Sequence, residues 1–317
     1  MIKSEEIRLS VRGDEHMLLE HKVNKHMKWV ETKQLTEHEK NVLLGDYDVP
    51  LEILDYVTDI YEQSNYIHDP VEGLELIIMH IPAKVDGQSR YISRPVSFLI
   101  KHDTLFTFNE GDAIAGVADL TQNMSTDNEY TPTSFMLEGL YYLVDSYIPV
   151  LRELTKERHV LDDLLTKKLT NRDLVKLSYL QQTLTFFESA TESNVDVLNL
   201  LLKSKFGQSL SPQDNERLED VLIEAEQITH MADLEAKIVN KISSIFDSIM
   251  NNNLNDTMKF LTVWSLAIAI PTLITGFYGM NINLPKIDSE YGWFYLIILS
   301  ILLIMWLIFS LKKDKKM

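Results

Sequence analysis

The chain predicts an α+β domain with a mixed or antiparallel sheet, followed by long stalk helices and a two-helix transmembrane hairpin. Three observations carry this. Residues 260–280 and 293–311 are uncharged runs of 21 and 19 residues, each long enough to cross ~30 Å of hydrocarbon at about 1.5 Å per helical residue. From Pro212 there is no further proline until Pro271 and no glycine until Gly276. Residues 1–125, by contrast, alternate strand-like and helix-like patterns.

The first region supplies strand candidates at 7–12, 27–32, 74–81, 91–100 and 104–109, all rich in Ile, Val, Phe and Thr. Helices are expected at 37–44 and at 50–62, where Leu51, Leu54, Val57 and Ile60 recur at helical spacing. Lys101-His102-Asp103 reads as a hairpin turn. A polar linker spans 121–133, and Thr131-Pro132 opens a helical region whose face is marked by Leu137, Leu140, Tyr141, Val144, Ile148 and Leu151, continuing through Val160, Leu161, Leu164 and Leu165. A second helix is expected from Arg172 to Lys205, ended by Gly207. Ser211-Pro212-Gln213-Asp214 then sets an N-cap, an N1 proline and an early acid in order.

Beyond this cap, residues 218, 225, 232, 239 and 246 are Leu, Ala, Ala, Val and Phe, and 221, 228, 242 and 249 are Val, Ile, Ile and Ile, with Glu235 alone breaking the second row. This is a heptad seam. It runs without a breaker into the first span, a helix of roughly 65 residues or about 100 Å. Such a helix needs copies of itself or neighbouring helices, so the pattern predicts oligomerisation.

Charge sets the expected topology. The net charge is −17, and residues from Met258 onward carry six Lys against Asp288, Glu290 and Asp314, which leaves −20 on residues 1–257. That acidity argues against a nucleic-acid partner, whose phosphates demand Lys and Arg, and suits a domain that attracts cations. There is no cysteine, which excludes a disulfide scaffold and any thiolate site. The first residues contain no apolar signal-like core, so the large domain is expected in the cytoplasm. Lys312, Lys313, Lys315 and Lys316 abut the second span and Lys259 flanks the first, so the positive-inside rule places both termini in the cytoplasm of a cell membrane and the loop outside.

The first span is not uniformly apolar. Asn255, Met258, Thr262, Ser265, Ala269, Thr272, Gly276 and Gly279 recur every third or fourth position as a small, polar stripe. Two readings stay open: a tight helix–helix seam, or the wall of a water-filled pore built from symmetric copies. The second span, with only Ser300 and Ser310 as polar residues, reads as lipid-facing. At the top of the stripe, Gly279-Met280-Asn281 ends the helix, where unsatisfied carbonyls and the negative dipole end are joined by an amide oxygen. A ring of such groups suits Mg²⁺, which gives up its waters reluctantly. Asp288 and Glu290 in the external loop would concentrate cations there.

Tyr278-Gly279-Met280-Asn281 between two spans, after about 255 soluble residues, closely resembles the CorA family of divalent-cation channels. The resemblance covers the whole chain in layout and is clearest in sequence over residues 255–316. It implies a homopentameric funnel in the lipid bilayer, with Mg²⁺ as both transported and regulatory ion and no other cofactor. It implies that Gly279, Met280 and Asn281 form the selectivity entrance, and that Asn255, Met258 and Leu261 fall at the cytoplasmic constriction. It further implies that Asp220 shares a regulatory divalent ion with a neighbouring subunit, for which Asp86 is the candidate partner. Two departures stand out: Asn283-Leu284-Pro285-Lys286 replaces the family's frequent Met-Pro-Glu-Leu, and Ala269 is small where some members place a bulky mid-pore side chain. The expected organisation is therefore an α/β domain at 1–125, antiparallel helices at 133–210, a stalk at 211–257, a pore-lining span at 258–280, an external loop at 281–292, a second span at 293–311 and a basic tail at 312–317.

Enzymatic readings find little support. Gly111 and Gly116 have Walker-like spacing but lack the following Lys-Ser/Thr, so no ATP-driven pump is expected. His16, His21 and His26 lie five apart, a spacing that fits one face of neither helix nor strand, and read as solvated surface. The expected activity is passive, potential-driven passage of Mg²⁺, with Co²⁺ and Ni²⁺ as further cargo, into the cytoplasm, closed by intracellular divalent cation. A divalent ion gains about 4.6 kcal/mol per 100 mV, twice the ~2.3 of a single charge. The alternatives are a Zn²⁺ transporter of a ZntB-like branch, since Gly-Met-Asn occurs across these branches, and a membrane-anchored coiled-coil scaffold.

Overall fold

The computed structural model describes residues 18–24, 27–32, 34–85, 87, 89–109, 130–166, 170–280 and 292–314, which fall into two units, Met1–Ser243 and Ser244–Met317. In the first unit, β1 (Leu19–Asn24), β2 (Met27–Thr32), β3 (Asn65–Asp69), β4 (Leu74–Lys84), β5 (Tyr91–Lys101) and β6 (Thr104–Phe108) form one sheet in the order β1-β2-β6-β5-β4-β3. It is a mixed sheet: β2 and β6 run parallel and every other neighbouring pair is antiparallel.

Near-continuous burial along β4 and β5 shows that both sheet faces are covered. Leu74, Leu76, Ile78, Leu99, Phe106 and Phe108 pack on one face against α1 (Glu37–Gly45) and α2 (Leu51–Thr58), through Leu43, Ile53, Leu54 and Val57. The other face meets α3 (Pro132–Asp145), α4 (Tyr147–Asp163) and α5 (Asn171–Lys203). There Trp29 lies 5.2 Å from Phe135 between ring centroids, and the Tyr147 hydroxyl donates to the His80 carbonyl at 3.0 Å. Asn194 of α5 clamps the same strand peptide, accepting from His80 N at 2.9 Å and donating to its carbonyl at 2.8 Å.

The strands expected at 27–32, 74–81, 91–100 and 104–109 are present, while 7–12 lies outside the described residues. β1 and β3 were not expected: they are short polar edge strands held by backbone pairing, with too few apolar residues to show a period. The helix expected over 50–62 stops at Thr58, and its buried face is Ile53, Leu54 and Val57, with Leu51 exposed. The single helix expected after Pro132 is two, parted at Ser146. Pro149 is the cause, because it offers no N–H to the Asp145 carbonyl and its ring crowds that oxygen. Thr131 caps α3, accepting from Ser134 N at 3.1 Å. After α5, Ser204 starts the short α6 (Lys205–Gln208). Gly207 is required there, since a Cβ would lie 2.2 Å from the Leu201 carbonyl oxygen.

Helix α7 (Pro212–Tyr278) is continuous over 67 residues, begun by Ser211, whose Oγ accepts from Asp214 N at 3.1 Å. Leu218, Val221, Ala225, Ile228, Ala232, Val239, Ile242 and Phe246 are all buried. Val144, Tyr147, Thr191, Asn194, Ala225 and Ile228 meet around one small void, so the chain's own α3, α4 and α5 fill this part of the seam. This part of the seam is thus covered by neighbouring helices of the same chain, one of the two covers that the sequence pattern allowed. Glu235, the break in the row, accepts from Arg158 Nε at 2.7 Å and from Thr155 Oγ1 at 3.0 Å.

Candidate functional site

The second unit holds the end of α7 and α8 (Gly292–Asp314), two helices long and apolar enough to cross a membrane. On α7 the less exposed residues are Val263, Ala267, Ile270, Pro271 and Ile274; on α8 they are Leu296, Ser300, Ile304, Leu307 and Ser310. Both sets recur at helical spacing and mark the sides on which the hairpin packs. Ser300 is only 7% exposed and donates to the Leu296 carbonyl at 2.7 Å. The expectation of a uniformly lipid-facing second span is corrected: one side of α8 is a packing face.

The Val263–Ala267–Ile270–Ile274 row keeps the heptad phase of Leu218 to Phe246. Asn255, Met258, Thr262, Ser265, Ala269, Thr272, Gly276 and Gly279 lie on the opposite side of α7; Asn255, Thr262, Ser265 and Thr272 are polar, Ala269, Gly276 and Gly279 are small, and Met258 is the long apolar exception. Every one of these residues is exposed. The hairpin therefore packs through one side of α7 and leaves its small, polar side bare. Leu261, also exposed, stands at the margin of that side.

The threonine hydroxyl protons of this span are committed. Thr262 Oγ1 donates to the Met258 carbonyl at 2.8 Å and Thr272 Oγ1 to the Ile268 carbonyl at 2.9 Å, while Thr275 donates to the Pro271 carbonyl at 2.9 Å. With the proton held inward, each oxygen turns lone pairs outward and can accept from water around a cation. Gly279 closes the last turn, its N–H donating to the Thr275 carbonyl at 2.9 Å. Its backbone is not left-handed; instead a Cβ would press to 3.2 Å on that same oxygen. Met280 follows and is exposed. Asn281, Asp288, Glu290 and Asp86 lie outside the described residues, as do His16 and His26.

In the first unit, Asp220 is exposed and borders an open groove of about 410 Å³ with Leu137, Glu138, Tyr141, Arg217, Val221, Ile223 and Glu224. Burial, and then the carboxylates of Glu224, Asp145 and Asp220, push the Tyr141 hydroxyl above its ordinary pKa. Arg217, the one cation of the groove, is drawn to Asp214 at 3.3 Å. Sequence reasoning singled out Asp220 but missed Glu138, Tyr141 and Glu224. The Glu138–Tyr141 and Asp220–Glu224 spacings were visible, yet only packing of α3 beside α7 brings them together. Among the described residues no group of three His, Cys, Asp or Glu side chains is placed to hold a metal ion.

An α+β unit, a heptad helix and two helices long and apolar enough to cross a membrane, the first with a polar row left uncovered, are the layout of an integral membrane protein. The chain belongs to the CorA-like Mg²⁺ transporter protein family, whose profile matches residues 24–313. It is 28% identical over 224 residues to the cobalt/magnesium transport protein CorA of Methanocaldococcus jannaschii, covering 68% of this chain and 69% of that protein. A magnesium transport protein CorA of Helicobacter pylori is 22% identical, over 72% of this chain and 73% of its own. In fold, the chain is similar to the complete structure of the CorA magnesium transporter from Methanocaldococcus jannaschii, with a TM-score of 0.76, 24% identity and coverage of 94% and 92%. It is less similar to the ZntB cytoplasmic domain from Vibrio parahaemolyticus, with a TM-score of 0.52, 13% identity and coverage of 73% and 90%.

Proposed function

We propose that the chain forms a homopentamer in the cell membrane, both termini cytoplasmic, that lets Mg²⁺ flow passively into the cytoplasm. The potential supplies the driving force, and neither ATP nor catalysis takes part. The observation that carries this reading is the bare row of the first span. Asn255, Met258, Thr262, Ser265, Ala269, Thr272, Gly276 and Gly279 stay uncovered while the hairpin packs through the opposite side. Copies placed with these rows inward would enclose a path whose walls accept hydrogen bonds from a hydrated cation. Gly279, Met280 and Asn281 would form its outer entrance, with Asp288 and Glu290 raising the local cation concentration. The names of the relatives support Mg²⁺ and Co²⁺ as cargo.

Closure by cytoplasmic Mg²⁺ is proposed at Asp220. The acidic groove around it repels like-charged surfaces, and a divalent ion shared with a neighbouring copy, with Asp86 as the partner acid, would relieve that repulsion and favour a closed state. The entrance is tested with Asn281→Ala in liposomes: Mg²⁺ uptake should vanish in oligomers that elute like the wild type, and retained uptake would remove Asn281 from the role. Comparing Mg²⁺, Co²⁺, Ni²⁺ and Zn²⁺ in the same assay decides the cargo, and no flux of any of them would favour a scaffold.

A further inference from the structure

The bare side of α7 is uncharged over a long and sharply bounded stretch. Continuing its heptad spacing towards the N-terminus from Asn255 gives Asn251, Ser248 and Ser244, all exposed. Ser248 Oγ donates to the Ser244 carbonyl at 2.9 Å, so its oxygen also presents lone pairs outward. From Ser244 to Gly279 the row itself contains no ionisable residue; Asp247, three residues after Ser244, borders it, and Asp256 and Lys259 occupy other sides of the same helix. The first charges met on the row are Lys241 and then Lys237, both exposed, one and two turns before Ser244. They are cations in a region that is otherwise strongly acidic. Lys237 is paired with Asp233 at 2.6 Å, and among the described residues no ion pair is formed by Lys241.

We propose that Lys241, backed by Lys237, forms a cationic collar at the inner end of the cation route and limits the rate at which divalent ions leave it. This rests on the proposed pore, in which the bare rows of several copies face one axis. One ammonium per copy then repels each passing ion, and the repulsion acts on the cation's double charge. The collar makes throughput depend on ionic strength, because salt screens exposed charges over a length that falls from ~30 Å at 0.01 M to ~3 Å at 1 M. Added monovalent salt should therefore speed the wild-type protein.

The test is initial Mg²⁺ uptake by full-length protein in liposomes, comparing the wild type with Lys237→Gln/Lys241→Gln and Lys237→Arg/Lys241→Arg. At about 0.01 M monovalent salt the Gln pair should take up Mg²⁺ roughly three- to tenfold faster than the wild type, and at about 1 M the two should converge. The Arg pair should follow the wild type at both. Equal uptake by the wild type and the Gln pair at low salt, in oligomers of the same size, overturns the collar and leaves the transport reading intact. A difference that does not shrink with salt also overturns it, since a packing effect is not screened. Absence of uptake by the wild type removes both the collar and the pore on which it rests.

Discussion

The two ends of α7 share one heptad phase and use it differently. In the first unit Leu218, Val221, Ala225, Ile228, Ala232 and Val239 are closed over by the chain's own helices, and the opposite side carries Asp220, His230, Lys237 and Lys241. In the second unit the same phase gives the hairpin-packing side through Val263, Ala267, Ile270 and Ile274, and the opposite side is small and uncharged. In water, an exposed helix side is satisfied by charge. In hydrocarbon, a bare polar side has no solvent to meet it and must be matched by protein or by a water-filled lumen. The side proposed to line the ion path is therefore recognised by the contrast between the two ends, not by either end alone.

Four experiments bear on this contrast. The largest effect is expected in the soluble end. Arg158 and Glu235 are paired with side chains only 12% and 13% exposed, so Arg158→Ala should cost about 3–5 kcal/mol by leaving a buried carboxylate uncompensated. Denaturant unfolding of the first unit would measure it, and a loss below about 1 kcal/mol would show that the seam tolerates the charge. In the second unit, Ala269→Leu fills the bare side. It should lower Mg²⁺ uptake about tenfold or more, a barrier of ~1.4 kcal/mol, with thermal stability unchanged; a destabilised protein with normal uptake would make that side a packing seam.

Asp220→Lys places a cation in the acidic groove. It should shift the Mg²⁺ concentration that protects the protein from protease, and that inhibits uptake, by about fivefold or more, whereas unchanged protection and inhibition would remove Asp220 from regulation. The smallest effect concerns His80, whose pKa is lowered by burial and by the nearby Arg94. Its unfolded form takes up a proton near pH 6.5 while the folded form resists. Stability from this group is therefore full above about pH 6.5 and declines as pH falls towards the lower native value. His80→Asn should flatten that part of the stability–pH curve, and an unchanged slope would place the acid sensitivity elsewhere.

Much of the fold was legible because it rests on long apolar runs. β2, β4, β5 and β6 each bury nearly every side chain, and α7 advertised its period over many turns. The edge strands β1 and β3 were silent because pairing, not side-chain burial, holds them. The break at Ser146 was readable in principle from Pro149, but the apolar period across it masked the proline. At the candidate site, the stripe was legible as residue types; its exposure was not, because which side of a helix stays bare depends on its neighbour. Ser300 shows the same limit, as one hydroxyl in an apolar run carries no signal of which side packs. The groove beside Asp220 needed tertiary structure, since Tyr141 and Glu224 are distant in sequence and adjacent only across two helices.

The Glu235–Arg158 pair also restricts how α7 can move against α4. Along the seam, Ala225 resembles Ala232 and Val221 resembles Ile228, but a slide by one heptad would also exchange Leu218 with Ala225 and Val239 with Phe246, which a packed seam resists. The carboxylate adds a second resistance: after such a slide it would lie about 10 Å from its guanidinium, at 1.5 Å per residue. The pair thus acts as a tooth that holds the register alongside the packing. Translation of α7 along its axis within this unit would therefore break the ion pair as well as the packing, whereas a tilt or rotation of the packed body would keep both.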